Sequence, residues 1–211
     1  AWILLLVYPV LLAGVVLRPP SAALWFVPGL EELSGRWKAD RSRVRWIGIA
    51  SIASGIGLGI YTGILLSSLG ARPLWSSALL GPIFLVSGLS ASAAFGHMMA
   101  RDREESEGLA KADNAFLAVE LALIALFLIG LMSAGEAQAQ AAGLLIGGPY
   151  TAVFWALVIG AGILVPLLIQ TLAVTHRIAH TPVAPVLVLL GGLALRFVVV
   201  YAGQASHWPR G

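Results

Sequence analysis

Long apolar windows with almost no charge recur along this 211-residue chain. A bilayer core of about 30 Å requires about 20 consecutive apolar residues for each spanning helix. Charged residues make up 11% of the chain, against about 25% in an average soluble domain, and they are clustered between the windows. A β-barrel would show alternating segments of about ten residues, and the sequence has no such pattern. The predicted fold class is therefore all-α, a polytopic bundle of transmembrane helices.

Six spans are predicted within a single transmembrane domain, residues 1–211. Their approximate bounds are 1–17, 46–69, 76–99, 114–134, 149–175 and 183–205. The first span is at the lower limit of length and opens at Ala1, without the basic region and cleavage site of a signal peptide. We therefore expect the chain to be the C-terminal part of a longer protein. In the longest connection, a short amphipathic segment is expected along the membrane interface, around Leu24, Trp25, Phe26 and Leu30.

Basic residues are distributed unequally between the two sets of loops. One side has only Arg72 and Arg210, together with the 135–148 loop. The other side has ten: Arg18, Arg36, Lys38, Arg41, Arg43, Arg45, Arg101, Arg103, Lys111 and Arg177. Short loops rich in Lys and Arg stay in the cytoplasm, so the ten are predicted to be cytoplasmic. The formal charge of +3 is then explained by the basic loops that orient the chain in the membrane, and no nucleic-acid partner is expected.

Tyr61 is fifteen residues from the cytoplasmic start of its span. A helix rises about 1.5 Å per residue, which places this phenol in the outer third of the membrane. It is followed by Thr62 and Gly63, and the glycines before it would let a backbone or a flat ligand approach closely. The glycines concerned are Gly55, Gly57, Gly59 and Gly63, and ordinary helix packing would explain them equally well.

Two ionisable residues, Glu120 and Arg196, fall inside predicted spans. Such groups are costly in lipid and usually face the bundle interior or a water-filled cavity. Arg196 is either a cation that stabilises a bound anion or reduced quinone head group, or a structural residue that pairs with an acid or caps a carbonyl. Glu120 is either a proton relay or a satisfied buried carboxyl. His97 and Asp113 are further candidates for a proton relay.

The chain has no cysteine, so thiolate ligation of zinc or of an iron–sulfur cluster within it is excluded. A haem b between helices needs two histidines on facing spans at matched depth. His97 and His176 are one possible pair at the cytoplasmic surface, so a haem b cytochrome subunit is a minor alternative. We expect no haem and no other metal site in the chain itself.

Three segments together resemble the NrfD-like family of polysulfide reductase membrane subunits. One is "YTGILLSSLGARPLWSSALLGPIFLVSGLSASAAFG" (61–96), with a Tyr, a Gly two residues on, an Arg-Pro-x-Trp turn and a Pro-containing apolar helix. The others are "GGPYTAVFW" (147–155) and the closing helix "LRFVVVYAGQ" (195–204). The "AW" at the start is similar to the opening of the family's third helix. The resemblance covers most of the chain.

This resemblance implies a quinone-interacting anchor of a respiratory-chain oxidoreductase complex in the inner membrane of a prokaryote. The family has about eight helices, so the first two would be absent here. It implies menaquinone or ubiquinone as the cofactor, and no substrate-reducing centre in this subunit. The implied partners are a ferredoxin-like iron–sulfur subunit on the outer face and a molybdopterin catalytic subunit. The implied quinone-binding residues are Tyr61, Arg72, Arg196 and Gln204.

A secondary transporter or proton-conducting membrane protein is the alternative function. Glu120 and Arg196 support it, as do the possible helix breaks at Pro149, Pro166 and Pro185. Transporters are often built from two related halves with paired interrupted helices, and no such symmetry is visible.

The predicted topology can be tested with cysteines introduced at Ser42 and Glu136. A membrane-impermeant thiol reagent should label Ser42→Cys only from the cytoplasm and Glu136→Cys only from outside, because the two lie on opposite sides of the charge distribution. The chain has no cysteine of its own, so no background removal is needed. Labelling of both positions from one side would contradict the orientation.

Overall fold

The structure is a computed structural model that describes residues 2–17, 29–68, 70, 72–100, 102–174 and 183–208. Its first helices are α1 (Trp2–Leu17), α2 (Leu30–Ala39), α3 (Arg41–Ser68) and α4 (Leu80–Met99). They are followed by α5 (Arg103–Ala134), α6 (Glu136–Ile146), a π-helical segment (Val153–Leu164) that continues into α7 (Val165–Val174), and α8 (Val183–Ala205). A single 3₁₀ turn, Pro73–Trp75, precedes α4.

The predicted all-α polytopic fold is confirmed. Five helical stretches in the described part of the chain are long and apolar enough to cross a membrane, and α1 is a shorter apolar helix. Two helices begin earlier than the predicted spans, α3 at Arg41 and α5 at Arg103. The reason is local: Asp40 accepts the backbone N–H groups of Ser42 and Arg43 at the start of α3. Two acidic residues in the first turn favour the start of α5 in the same way.

Two short helices fall in segments predicted as connections. Helix α6 occupies the predicted 135–148 loop, where alanine and glutamine favour helix formation. Helix α2 begins at Leu30, the last residue of the expected amphipathic segment. The other residues of that segment, Leu24, Trp25 and Phe26, lie outside the described residues.

The chain divides into two compact units, residues 1–61 and 62–211. In the first unit, Ile3 of α1 lies against Gly57 of α3, where an added Cβ would be 3.3 Å from Ile3 Cδ1. Helix α2 packs against α1, and the Ser34 hydroxyl donates a hydrogen bond of 3.2 Å to the Leu17 carbonyl. Among the described residues of this unit, only Val7 and Ser34 are buried.

The described helices of the second unit pack around a continuous apolar core. Helix α4 packs against α5 and α8, the π-helical segment packs against α8, and α7 packs against α5 and α8. The core includes Leu117 and Phe127 of α5, Phe154 of the π-helical segment, and Leu195 of α8. The helices can approach closely because Gly162 and Gly191 face each other: a Cβ added at Gly162 would lie 2.5 Å from the Gly191 Cα.

Replacing Gly162 by alanine should therefore destabilise the second unit. We expect a loss of about 1–3 kcal/mol, as for other overpacked sites, because the added methyl group meets backbone that cannot rotate away. Gly130→Ala is the matched control, since a Cβ there would meet no atom within 4 Å. Thermal denaturation in detergent measures both, and equal stability of the two variants would contradict the close contact.

Candidate functional site

The second unit contains buried polar side chains on three of its described helices, α4, α5 and α7. Asp113 and Glu120 are seven residues apart on α5, so they lie on one face, two turns and about 10 Å from each other. Their exposed fractions are 0% and 4%. Ser87 and Ser90 of α4 are buried opposite them. A line of polar groups thus runs along the interior of an otherwise apolar bundle.

Asp113 links three helices. The Ser90 hydroxyl donates to its Oδ1 at 2.6 Å, and the Gln170 amide donates to its Oδ2 at 2.6 Å. Gln170 belongs to α7 and is also buried, with 1% exposed. One residue further along each helix, the Asn114 amide contacts the Thr171 hydroxyl at 3.5 Å. The carboxyl group is therefore held at a fixed position by donors from α4 and α7.

Glu120 and Arg196 meet at Ser87, two turns from Asp113. The Ser87 hydroxyl lies beside the Glu120 carboxyl and 3.5 Å from Arg196 Nη1. Arg196 also donates to the Gly192 carbonyl one turn earlier in α8, at 2.7 Å, and its guanidinium lies 6.0 Å from the centre of the Phe84 ring. The cation is thus placed where it attracts the carboxylate electrostatically while it caps a carbonyl of its own helix.

Residues 70–76 are tied to the end of α8. Arg72 donates to the Ser206 carbonyl at 2.9 Å and also contacts His207 Nδ1. The Trp75 indole donates to the Val199 carbonyl at 3.0 Å, and its ring lies directly against Gly203. The Trp208 indole donates to the Gly70 carbonyl at 3.0 Å. The Arg-Pro-x-Trp turn therefore fastens the last turn of α8.

The other predicted quinone and relay residues lie in different places. Tyr61 is half-buried at the end of the first unit, whereas Arg72, Arg196 and Gln204 belong to the second. Gln204 is exposed in the last turn of α8, eight residues and about 12 Å beyond the half-buried Arg196. The structure therefore does not bring Arg196 and Gln204 together. His97 is half-buried near the end of α4, two turns beyond Ser90.

Among the described residues, no group of three or more His, Asp or Glu side chains is arranged to hold a metal ion. Of the histidine pair considered for a haem, His176 lies outside the described residues.

Three members of the buried polar line were not predicted: Ser87, Ser90 and Gln170. Each has a signal in the sequence. The two serines are three residues apart on one face of α4, and Gln170 is the single amide in the apolar run "VPLLIQTLAV". Polar side chains at helical spacing within an apolar span indicate a shared interior face.

Comparison with known proteins gives one family and several relatives. A family model described as "Polysulphide reductase, NrfD" matches residues 1–207. A protein NrfD homolog of Haemophilus influenzae is 34% identical over 160 residues, which is 71% of this chain and 50% of the relative. A polysulfide reductase component of Wolinella succinogenes is 31% identical over 175 residues, 77% of this chain and 55% of the relative.

A more distant relative is a selenate reductase component of Mesobacillus selenatarsenatis. It is 29% identical over 187 residues, 84% of this chain and 42% of the relative. The chain spans about half the length of the curated relatives it matches. No solved structure matches.

Proposed function

Because the chain belongs to the NrfD polysulphide reductase family, we propose that it is part of the quinone-interacting membrane anchor of an oxidoreductase complex. The family match over residues 1–207 is the observation on which the proposal rests. Two relatives bear the names of reductase components, one of polysulfide reductase and one of selenate reductase. The apolar helices support a location in a membrane. We further propose that this is the inner membrane and that the basic loops lie in the cytoplasm.

The proposed partners are an iron–sulfur subunit docked on the outer face and a molybdopterin catalytic subunit behind it. These 211 residues contain no cysteine, so a cysteine-ligated iron–sulfur cluster would be held outside them. When bound, menaquinone or ubiquinone supplies the transfer of electrons and protons between the membrane pool and that partner.

Two of the predicted residues have the chemistry that a quinone carbonyl needs. Tyr61 offers a half-buried phenol and Gln204 an exposed amide, and both groups can donate hydrogen bonds to a carbonyl. We propose Tyr61 as the principal donor. Arg72 and Arg196 already donate to the carbonyls of Ser206 and Gly192, which favours a positioning role for both. In this proposal Arg72 holds the helix end that presents Gln204.

We also propose that the buried polar line moves protons. Asp113 and Glu120 are two turns apart, and Ser87 and Ser90 lie along the same interior face. Hydroxyl groups both donate and accept, so they can pass a proton between carboxyl groups that are too far apart to touch. His97 lies beyond Ser90 toward the predicted cytoplasmic end of α4. The same line also supports the second candidate function, a proton-conducting protein without quinone chemistry.

Tyr61→Phe tests the quinone assignment, because it removes one hydroxyl and keeps the ring. Loss of a hydrogen bond to a neutral carbonyl costs about 0.5–1.5 kcal/mol, or a few-fold to about tenfold in quinone affinity. If the phenol also assists proton transfer, the rate loss should reach about 10²–10⁴-fold. Quinone-linked turnover of the complex should fall, while turnover with an artificial soluble electron donor should stay normal.

Tyr8→Phe is the matched control, since Tyr8 is an exposed tyrosine of the same unit, 66% exposed on α1. It should change neither activity. If Tyr61→Phe also leaves both activities unchanged, the assignment of Tyr61 is wrong.

Glu120→Gln tests the proton line while keeping the size of the side chain. If protons pass through Glu120, the variant should slow quinone-linked turnover or lower the number of protons moved per electron, with quinone affinity nearly unchanged. Proton uptake by complex in proteoliposomes measures the ratio, and Glu136→Gln, an exposed glutamate of α6, is the control. An unaltered rate and ratio would assign Glu120 a structural role. A proton leak that depends on Glu120 but not on quinone would support the second candidate function.

A further inference from the structure

The short helix α2 lies at the level where the apolar helices of the first unit end. Ile3, near the start of α1, lies against Gly57 of α3, and Leu17, at the end of α1, is bonded to Ser34, seven residues before α3 begins. These two contacts together make α1 and α3 antiparallel. Leu17 is fourteen residues from Ile3, about 21 Å along α1, and Arg41 is sixteen residues from Gly57, about 24 Å along α3. The end of α1 and the start of α3 are therefore level with each other. Helix α2 is fixed there by the hydrogen bond from Ser34 to the Leu17 carbonyl.

Helix α2 has the composition of an interfacial helix. Leu30, Leu33 and Trp37 follow a spacing of three and four residues, which places them on one side, and Leu33 is 40% exposed. A second tryptophan, Trp46, is exposed in the second turn of α3, just before the apolar part of that helix. Tryptophan is enriched where helices leave the hydrocarbon of a bilayer. The apolar side of α2 and Trp46 thus mark the level of the lipid head groups.

Five cations lie at this level, and two of them have an acidic partner. Arg36 pairs with Glu32 at 2.6 Å, and Arg43 pairs with Asp40 at 3.0 Å. The remaining three are exposed, and no ion pair is found for them within the described residues: Lys38, Arg41 and Arg45. We call these three residues the basic patch. Arg41 and Arg45 are four residues apart, so they lie on the same face of α3.

We propose that the basic patch binds the head groups of anionic phospholipids. A cluster of cations directly beside a membrane span is attracted to anionic lipid, and its position at head-group level brings it within reach of a lipid phosphate. Lys and Arg donate several hydrogen bonds to phosphate oxygens, whereas the flanking tryptophans contact the glycerol and upper chain region. The patch would thus hold the α2–α3 corner at a fixed depth in the membrane.

The test compares binding of phosphatidylglycerol and phosphatidylcholine to the detergent-purified, delipidated protein by native mass spectrometry. The wild-type protein should prefer phosphatidylglycerol. Replacing Lys38, Arg41 and Arg45 together by glutamine should weaken its binding about fivefold for each cation, on the order of 100-fold in all. Phosphatidylcholine binding should stay unchanged, because its head group has no net charge. High salt should reduce the preference by screening the charges.

Two further variants keep the result interpretable. The control replaces Arg101, Arg103 and Lys111 by glutamine, which removes the same charge from another predicted cytoplasmic loop and should leave the preference intact. The variant Lys38→Arg/Arg41→Lys/Arg45→Lys keeps the charge and should bind like the wild type. Equal losses in the control and in the patch variant would overturn the proposal, since binding would then depend on net charge alone. Absence of any preference in the wild type at low salt would overturn it as well.

Discussion

The burial of carboxyl groups among apolar helices is the constraint on which the second unit depends. Inside a bilayer no water is at hand to satisfy a polar group, so its partners must come from the protein. Asp113 obtains them from two helices at once, the Ser90 hydroxyl of α4 and the Gln170 amide of α7. Because lipid is as apolar as the helix surfaces, the hydrophobic effect does not favour association of helices within the bilayer. Hydrogen bonds of this kind and close packing therefore determine which helices associate. The contact of Gly162 with Gly191 contributes the close packing on the other side of the unit.

A second polar connection two turns away fixes the register of the same helices. Ser87 of α4 interacts with Glu120 of α5 and lies beside Arg196 of α8. Two connections at different depths prevent both sliding and rotation of α4 against α5, which one connection would not. A structural and a proton-carrying role for these residues are therefore compatible: groups held at fixed distances by hydroxyl partners are the arrangement that proton transfer requires.

The sequence predicted the membrane spans well because the bilayer dictates their length. Apolar windows locate α3, α4, α5, the π-helical segment with α7, and α8 to within several residues, apart from the charged N-terminal turns of α3 and α5. The short helices α2 and α6 were missed, since 10 or 11 residues do not form a spanning window. The π-helical geometry of residues 153–164 was not predicted either, because hydropathy does not distinguish it from an α-helix.

Residue partners were predicted less well, because they depend on distant parts of the chain. Asp113 and Glu120 were recognised from their charge. The partner of Asp113 was not, because Gln170 is 57 residues away and nothing in the sequence links the two. The Arg-Pro-x-Trp turn was recognised as a motif. Its contacts with Ser206 and Val199, more than 120 residues away, could be seen only in the structure. These contacts explain why a turn would need both a guanidinium and an indole.

In a membrane protein, an exposed apolar surface is weak evidence for a binding site, because lipid covers such surfaces in any case. Most side chains of α1 and α3 are exposed, as expected for helices that contact lipid. The apolar groove of about 430 Å³ between the π-helical segment and α8, beside Leu157 and Phe197, is equally compatible with a lipid chain and with a ligand. Polar groups are different, because each one at the membrane has a cost that some partner must offset. The functional proposals therefore rest on polar and charged side chains, namely the phenol of Tyr61, the buried carboxyl groups and the basic patch.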